Sequence, residues 1–192
     1  MPGASIHQHP TIPKDTLNSA TFVADVITHM WGNNPYGATA AFRNFCARLF
    51  QITQPSASTL KLALNYVYRY KETEPLSLGL LGTEYYIVVV ALMLANKYHE
   101  DKCYSNRSWA KVSGLDLIQL SQMELAVLAT FGWNIKVEKD EFDAWTQFLD
   151  QYWSAVIAFR TQHALVPEEC HGSNDCRRQS FVSSESVAPS VL

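Results

Sequence analysis

The stretch EYYIVVVALMLANKY, Glu84 to Tyr98, decides how the chain is read. From Tyr85 to Ala95 it carries no charge and no turn former. That run is too short for a membrane span, which needs about 20 apolar residues. Ile87 to Val90 alone would suit a strand, but the run continues through Ala91, Leu92, Met93 and Leu94 and exceeds an ordinary strand. The remaining reading is a helix that is apolar all round, and such a helix belongs at the centre of a bundle. Lys97 follows one turn after Met93 and Leu94 on the same face, so a cation stands at the exit of a core helix.

Working outward, the flanking segments repeat helical periodicity. Upstream, Phe22, Val23, Val26, Ile27 and Met30 mark a helix from about Asn18 to Trp31. Phe42, Phe45, Cys46, Leu49 and Phe50 mark a second from about Thr39 to Ile52, stopped by Pro55. Leu60, Ala63, Leu64 and Val67 mark a third from near Ser58, its stripe widened by Tyr66, Tyr68 and Tyr70. Glu74 to Leu81, rich in leucine, reads as a loop that packs down. Thr83 or Gly82 caps the central helix, with Glu84 suited to the positive end of its dipole.

Downstream, a short helix around Ser108 to Val112 is anchored by Trp109. Asp116 and Gln119 form a capping-box pattern before the stripe Leu120, Met123, Val127, Leu128 and Phe131, which Gly132 closes. Asp140 caps a last helix with Phe142, Trp145, Phe148, Leu149, Tyr152 and Val156 on its apolar side. The expected fold is all-α, with a flexible arm at 1–17, a single domain at 18–160 and a disordered tail at 161–192.

Composition narrows the function. A chain of 192 residues with 47% hydrophobic content can build one real core. A net charge of −3 and no basic stripe argue against nucleic acid as a partner. No membrane partner is expected. Cys46, Cys103, Cys170 and Cys176 show no zinc-finger or CxxC spacing, so reduced thiols in the cytosol or nucleus are expected. The N-terminal stretch has no apolar segment suited to a secretory signal. There is no Gly-rich phosphate loop and no supported Ser/His/Asp arrangement, so no catalytic residue, metal or cofactor is expected. His99, Glu100 and Asp101 are adjacent on a helix end and point apart. His163, Cys170, His171 and Cys176 match no structural zinc spacing.

One polar feature interrupts a second apolar face. Glu124 sits between Leu120 and Leu128 at four-residue spacing, mirroring Lys97. Buried singly, each charge would cost several kcal/mol. Two readings follow: an internal ion pair snorkelling to the rim, or a charged pair on an apolar surface prepared for another protein.

Three segments then carry a family resemblance. ALMLANKYHED, Ala91 to Asp101, resembles the cyclin-box segment ending in Ala-x-Lys-Phe/Tyr-Glu-Glu. QMELAVLATFGWNI, Gln122 to Ile135, resembles its Met-Glu-x-x-Leu pattern, with Glu124 in the glutamate position. TLKLALNYVYRYK, Thr59 to Lys71, resembles the upstream Thr-Leu-x-Leu-Ala-x-Asn-Tyr. Lys97 and Glu124 stand 27 residues apart, close to the spacing of that pair in cyclins. The chain from about Asn18 to Arg160 thus resembles a single cyclin box, and CYSNRSWAKVSGL, Cys103 to Leu115, is similar to the fungal Pcl-type cyclins.

The resemblance implies a five-helix bundle with an extra N-terminal helix and a non-catalytic subunit that activates a cyclin-dependent protein kinase. It implies that Lys97 and Glu124 face the kinase, with Leu94, Tyr98, Leu128, Trp133 and Ile135 at neighbouring apolar positions. Arg43 matches the arginine of the family's substrate-docking segment, but the usual tryptophan position is Leu49 and the usual acidic answer to the arginine is Tyr68. The docking groove in its usual form is therefore not expected, and Arg43 must find another carboxylate or be exposed. The competing readings are a cyclin-fold adaptor or transcription-factor-like module that binds a protein or nucleic acid without activating a kinase, and a small-molecule enzyme on a helical bundle.

Overall fold

A computed structural model describes residues 12, 15–32, 37–73 and 83–164. Among them the chain forms seven helices and no strand: α1 (Thr16–Gly32), α2 (Ala40–Thr53), α3 (Ala57–Thr73), α4 (Thr83–His99), α5 (Asn106–Ser113), α6 (Leu117–Thr130) and α7 (Lys139–Ala164). The fold is all-α, as the periodicity requires.

α4 is the axis. Ile87 through Asn96 are all buried, and α1, α3, α5 and α6 each pack against it. Full burial of one large aliphatic side chain is worth about 1.5–3 kcal/mol, so a helix with no polar face is stable only when surrounded. The stripes expected on α1 and α2 are buried in full. Of the expected α6 stripe only Leu120 and Val127 are buried, while Met123, Leu128 and Phe131 are half-buried. α7 buries Trp145, Leu149 and Val156, but Phe148, expected on its apolar side, is 44% exposed.

Several ends differ from the sequence expectation, each for a local reason. α1 starts before Asn18 because the Asp15 carboxylate accepts the Asn18 N–H at 3.2 Å. Ile12, inside the expected flexible arm, is 3% exposed and belongs to the core. α5 starts at Asn106, two residues early, because Ser105 caps it, accepting the Ser108 N–H. α7 continues through residues 161–164, where the sequence suggested tail. Asp116 caps α6 by accepting from the Ile118 and Gln119 N–H groups, yet the Gln119 side chain is engaged elsewhere, accepting from the Tyr86 hydroxyl at 2.5 Å. The leucine-rich loop Glu74 to Leu81, most of the arm, and the tail beyond Ala164 lie outside the described residues. No helix of the described residues is long and apolar enough to cross a membrane.

Candidate functional site

The last turn of α4, the first residue of α5 and the middle of α6 meet at one point. Lys97 Nζ donates to Glu124 Oε1 at 2.5 Å and to Asn106 Oδ1 at 2.8 Å. The Asn106 amide donates to Glu124 Oε2 at 2.6 Å and to the Ser121 hydroxyl at 3.4 Å. Both carboxylate oxygens are thus satisfied, which a side chain only 10% exposed requires. Lys97 keeps 35% of its side chain in solvent. The pair is therefore closed on its inner side and accessible on its outer one.

The loop between α4 and α5 sets this geometry. Asn96, buried at the end of α4, donates to Lys102 O and accepts the Tyr104 N–H, which turns the chain back toward α6. Asn106 then arrives at the start of α5 with its amide over Glu124. Sequence reading missed Asn106, since an asparagine at a helix start reads as capping chemistry.

Of the apolar positions that the resemblance implies, Tyr98 is 43% exposed, Trp133 is 66% exposed, and Leu128 and Ile135 are half-buried. Leu94 does not join them. It is 2% exposed and lies in the core, because α4 is enclosed as far as Asn96 and only its last turn reaches the surface. Leu94 backs the surface and cannot line it. α6 adds two apolar residues that the core stripe did not anticipate, Ile118 at 67% and Leu125 at 54% exposure. The signal for them was present, since α6 is apolar on two faces and only one can meet the core.

Trp133 is held in an unusual backbone. α6 ends with Gly132 N–H donating to Ala129 O at 2.9 Å and Trp133 N–H to Leu128 O at 2.8 Å. This Schellman pairing puts Gly132 at φ 57°, and Trp133 after it also has a positive φ, 64°. Glycine adopts that conformation freely, whereas a residue with a Cβ pays about 1–2 kcal/mol.

The other polar expectations resolve as follows. Arg43 finds a carboxylate from an unexpected helix: Asp25 Oδ1 on α1 accepts from Arg43 Nε at 3.0 Å, from Nη2 at 2.8 Å and from the Ala38 N–H at 2.9 Å. Tyr68, at the position of the usual acid, packs on Trp145 and Phe148. Leu49 is buried, and Phe42, Phe45 and Tyr85 meet edge to face or stacked beside it. Glu100 accepts from the Thr59 hydroxyl, and hydrogen bonds from Thr59 and Ser56 hold its carboxyl below the usual glutamate range. It therefore fastens the end of α4 to the start of α3. His99 and Asp101 are exposed. Among the described residues no three His, Cys, Asp or Glu side chains converge as metal ligands. His163 falls in α7, whereas Cys170, His171 and Cys176 lie outside the described residues.

These features define a helical-bundle domain whose central helix delivers a cation to a nearly buried carboxylate at an apolar rim. The sequence profile of the cyclin N-terminal domain matches residues 41–136, half of the chain, and the chain belongs to the cyclin family. It is similar to Cyclin-U2-2 of Arabidopsis thaliana, 28% identical over 123 residues that cover 64% of this chain and 54% of that protein. It is also similar to the PHO85 cyclin CLG1 of Saccharomyces cerevisiae, 26% identical over 104 residues, 50% of this chain and 23% of that protein. The G1/S-specific cyclin pas1 of Schizosaccharomyces pombe is 30% identical over 92 residues, 46% of this chain and 22% of that protein. The chain thus spans just over half the length of the plant relative and under a quarter of the two yeast ones.

Proposed function

We propose that this protein is a regulatory subunit that binds and activates a cyclin-dependent protein kinase, of the class that partners the fungal Pcl-type cyclins. Membership of the cyclin family supports the general reading, and the likeness to a PHO85 cyclin supports the narrower one. The single observation that carries it is the Lys97–Asn106–Glu124 cluster, which leaves 35% of the Lys97 side chain in solvent next to the exposed Tyr98. The charges give register to a docking partner, and the aromatic and aliphatic rim gives affinity. Activation follows from differential affinity: the subunit favours the active kinase by as much as it binds that form more tightly than the inactive one.

A charge exchange separates an internal pair from a partner-facing one. Lys97→Glu and Glu124→Lys each place like charges together, and each should weaken co-purification with the kinase by tenfold or more, the scale of truncating a buried interfacial charge. The double exchange restores an opposite-charge pair inside the fold and should recover the thermal midpoint. It should not recover kinase binding, because each charge then meets the wrong kinase group. Recovery of both would make the pair purely internal, and a wild type that binds and activates no cyclin-dependent kinase would sink the proposal.

A further inference from the structure

The Trp133 indole has no visible use within the fold. It is 66% exposed, in a left-handed backbone that disfavours any residue with a Cβ. Strain of this kind persists only where surrounding contacts over-determine the backbone, and here those contacts can be named.

Two come from one face of α3. The Tyr66 hydroxyl donates to Ile135 O at 2.7 Å, and Arg69 Nη2 donates to Asn134 O at 2.9 Å. Arg69 also lies over the Phe131 ring, 4.5 Å from its centroid. Thus α3 holds the chain just after Trp133, at Asn134 and Ile135, and touches it at Phe131 two residues before, and the tryptophan itself is left outside the grip. Tyr66 is 1% exposed, so its hydroxyl is a buried donor aimed at a single acceptor. The turn closes on itself as well, with Asn134 N–H donating to Phe131 O and Lys136 N–H to Asn134 Oδ1.

We infer that Tyr66 and Arg69 are positioning residues that hold the Phe131–Ile135 turn in its left-handed form, so that Trp133 is presented, pre-ordered, to the kinase. This rests on the kinase-binding reading above and adds to it a device: affinity is raised because the anchor is not ordered at the moment of binding. An exposed tryptophan on a slack turn would sample many directions, and the apparent affinity would fall with the fraction correctly placed.

The test uses the full chain with Tyr66→Phe and Arg69→Met, both of which keep the bulk of the side chain. Hydrogen exchange at the Trp133 and Asn134 amides should quicken by about tenfold in each variant, the scale of one lost hydrogen bond, while amides in the core of α4 keep their rates. Kinase dissociation constants should rise by a similar factor. In a Trp133→Ala background the same two substitutions should leave kinase affinity unchanged, since there is no anchor left to position. A merely structural role would lower affinity equally in both backgrounds, which would overturn the inference. So would unchanged exchange at the turn. A wild type that binds no kinase would instead remove the kinase reading and the purpose assigned to the turn, whatever the exchange rates show.

Discussion

Asp25 and Arg43 show how a charge pair can be unequal. The carboxylate is 3% exposed in its side chain, while the guanidinium is 36% exposed. Removing the acid leaves a cation that reaches water, whereas removing the arginine leaves a buried carboxylate short of its main counter-charge. Arg43→Ala should therefore cost more than Asp25→Ala, about 3–5 against about 1–3 kcal/mol in urea unfolding. Equal costs would mean that the pair is effectively solvent-exposed. The acid on α1 could not be found from the sequence, because periodicity assigns Asp25 to no face and the family pattern directs attention to position 68. Glu100 gives a pH signature of its own. Hydrogen bonds from Thr59 and Ser56 lower its folded pKa. Its contribution is therefore fully present above the unfolded glutamate value of about 4.3 and lost as pH falls through the lower folded value. Acid unfolding of Glu100→Gln should show a shallower loss of stability across that window. A wild-type slope retained in the variant would assign the effect to other carboxylates.

At the scale of elements, length and pattern carried most of the information. α4 was legible because an apolar run of that length fits no strand and no membrane span, and Lys97 and Glu124 were legible because each breaks an apolar face at helical spacing. The uniformity that identified α4 also hid its orientation. With no polar face to mark an outward side, Leu94 could be set at the surface when only the final turn emerges. The α6 terminus was legible as a stop at Gly132 but not as a second left-handed residue at Trp133, since that depends on α3 gripping the chain beyond it. Trp133→Gly should consequently leave stability unchanged or raise it by about 1 kcal/mol, because glycine removes the Cβ penalty and the exposed indole contributes no packing within the fold. On the kinase-binding reading proposed above, the same substitution should abolish most kinase affinity. A thermal midpoint several degrees lower would show that the indole is structural after all.

The whole molecule is a cyclin-type bundle, α2 to α6, held by two helices, α1 and α7, that lie outside the matched region of 41–136. α1 and α7 touch each other: Phe22 meets Trp153 edge-on at 4.6 Å, and His29 meets Tyr152 at 5.2 Å. α7 also reaches α3, where Trp145 Nε1 donates to Lys61 O at 2.8 Å and Tyr68 and Phe148 extend an aromatic row. Since α1 supplies both Asp25 and a buried stripe, a loosened α7 should be felt at the far end of α1 as well as on α3. Trp145, Leu149 and Val156 each gain about 1.5–3 kcal/mol from full burial, against a typical domain stability of about 5–15 kcal/mol. A chain shortened to end at Glu138 should therefore melt on the order of 10–35 °C lower, given about 2–4 °C per kcal/mol for a chain of this size, and should bind a hydrophobic dye through the uncovered faces of α1 and α3. Trp145→Phe, which removes only the indole donor and some area, should lower the midpoint by a few degrees without dye binding. If the shortened chain melts with the wild type, α7 is a passenger and the bundle is self-sufficient without it. If it melts lower but regains its midpoint when α7 is supplied as a separate peptide, the contact with α1 and α3, and not chain continuity, is what closes the fold.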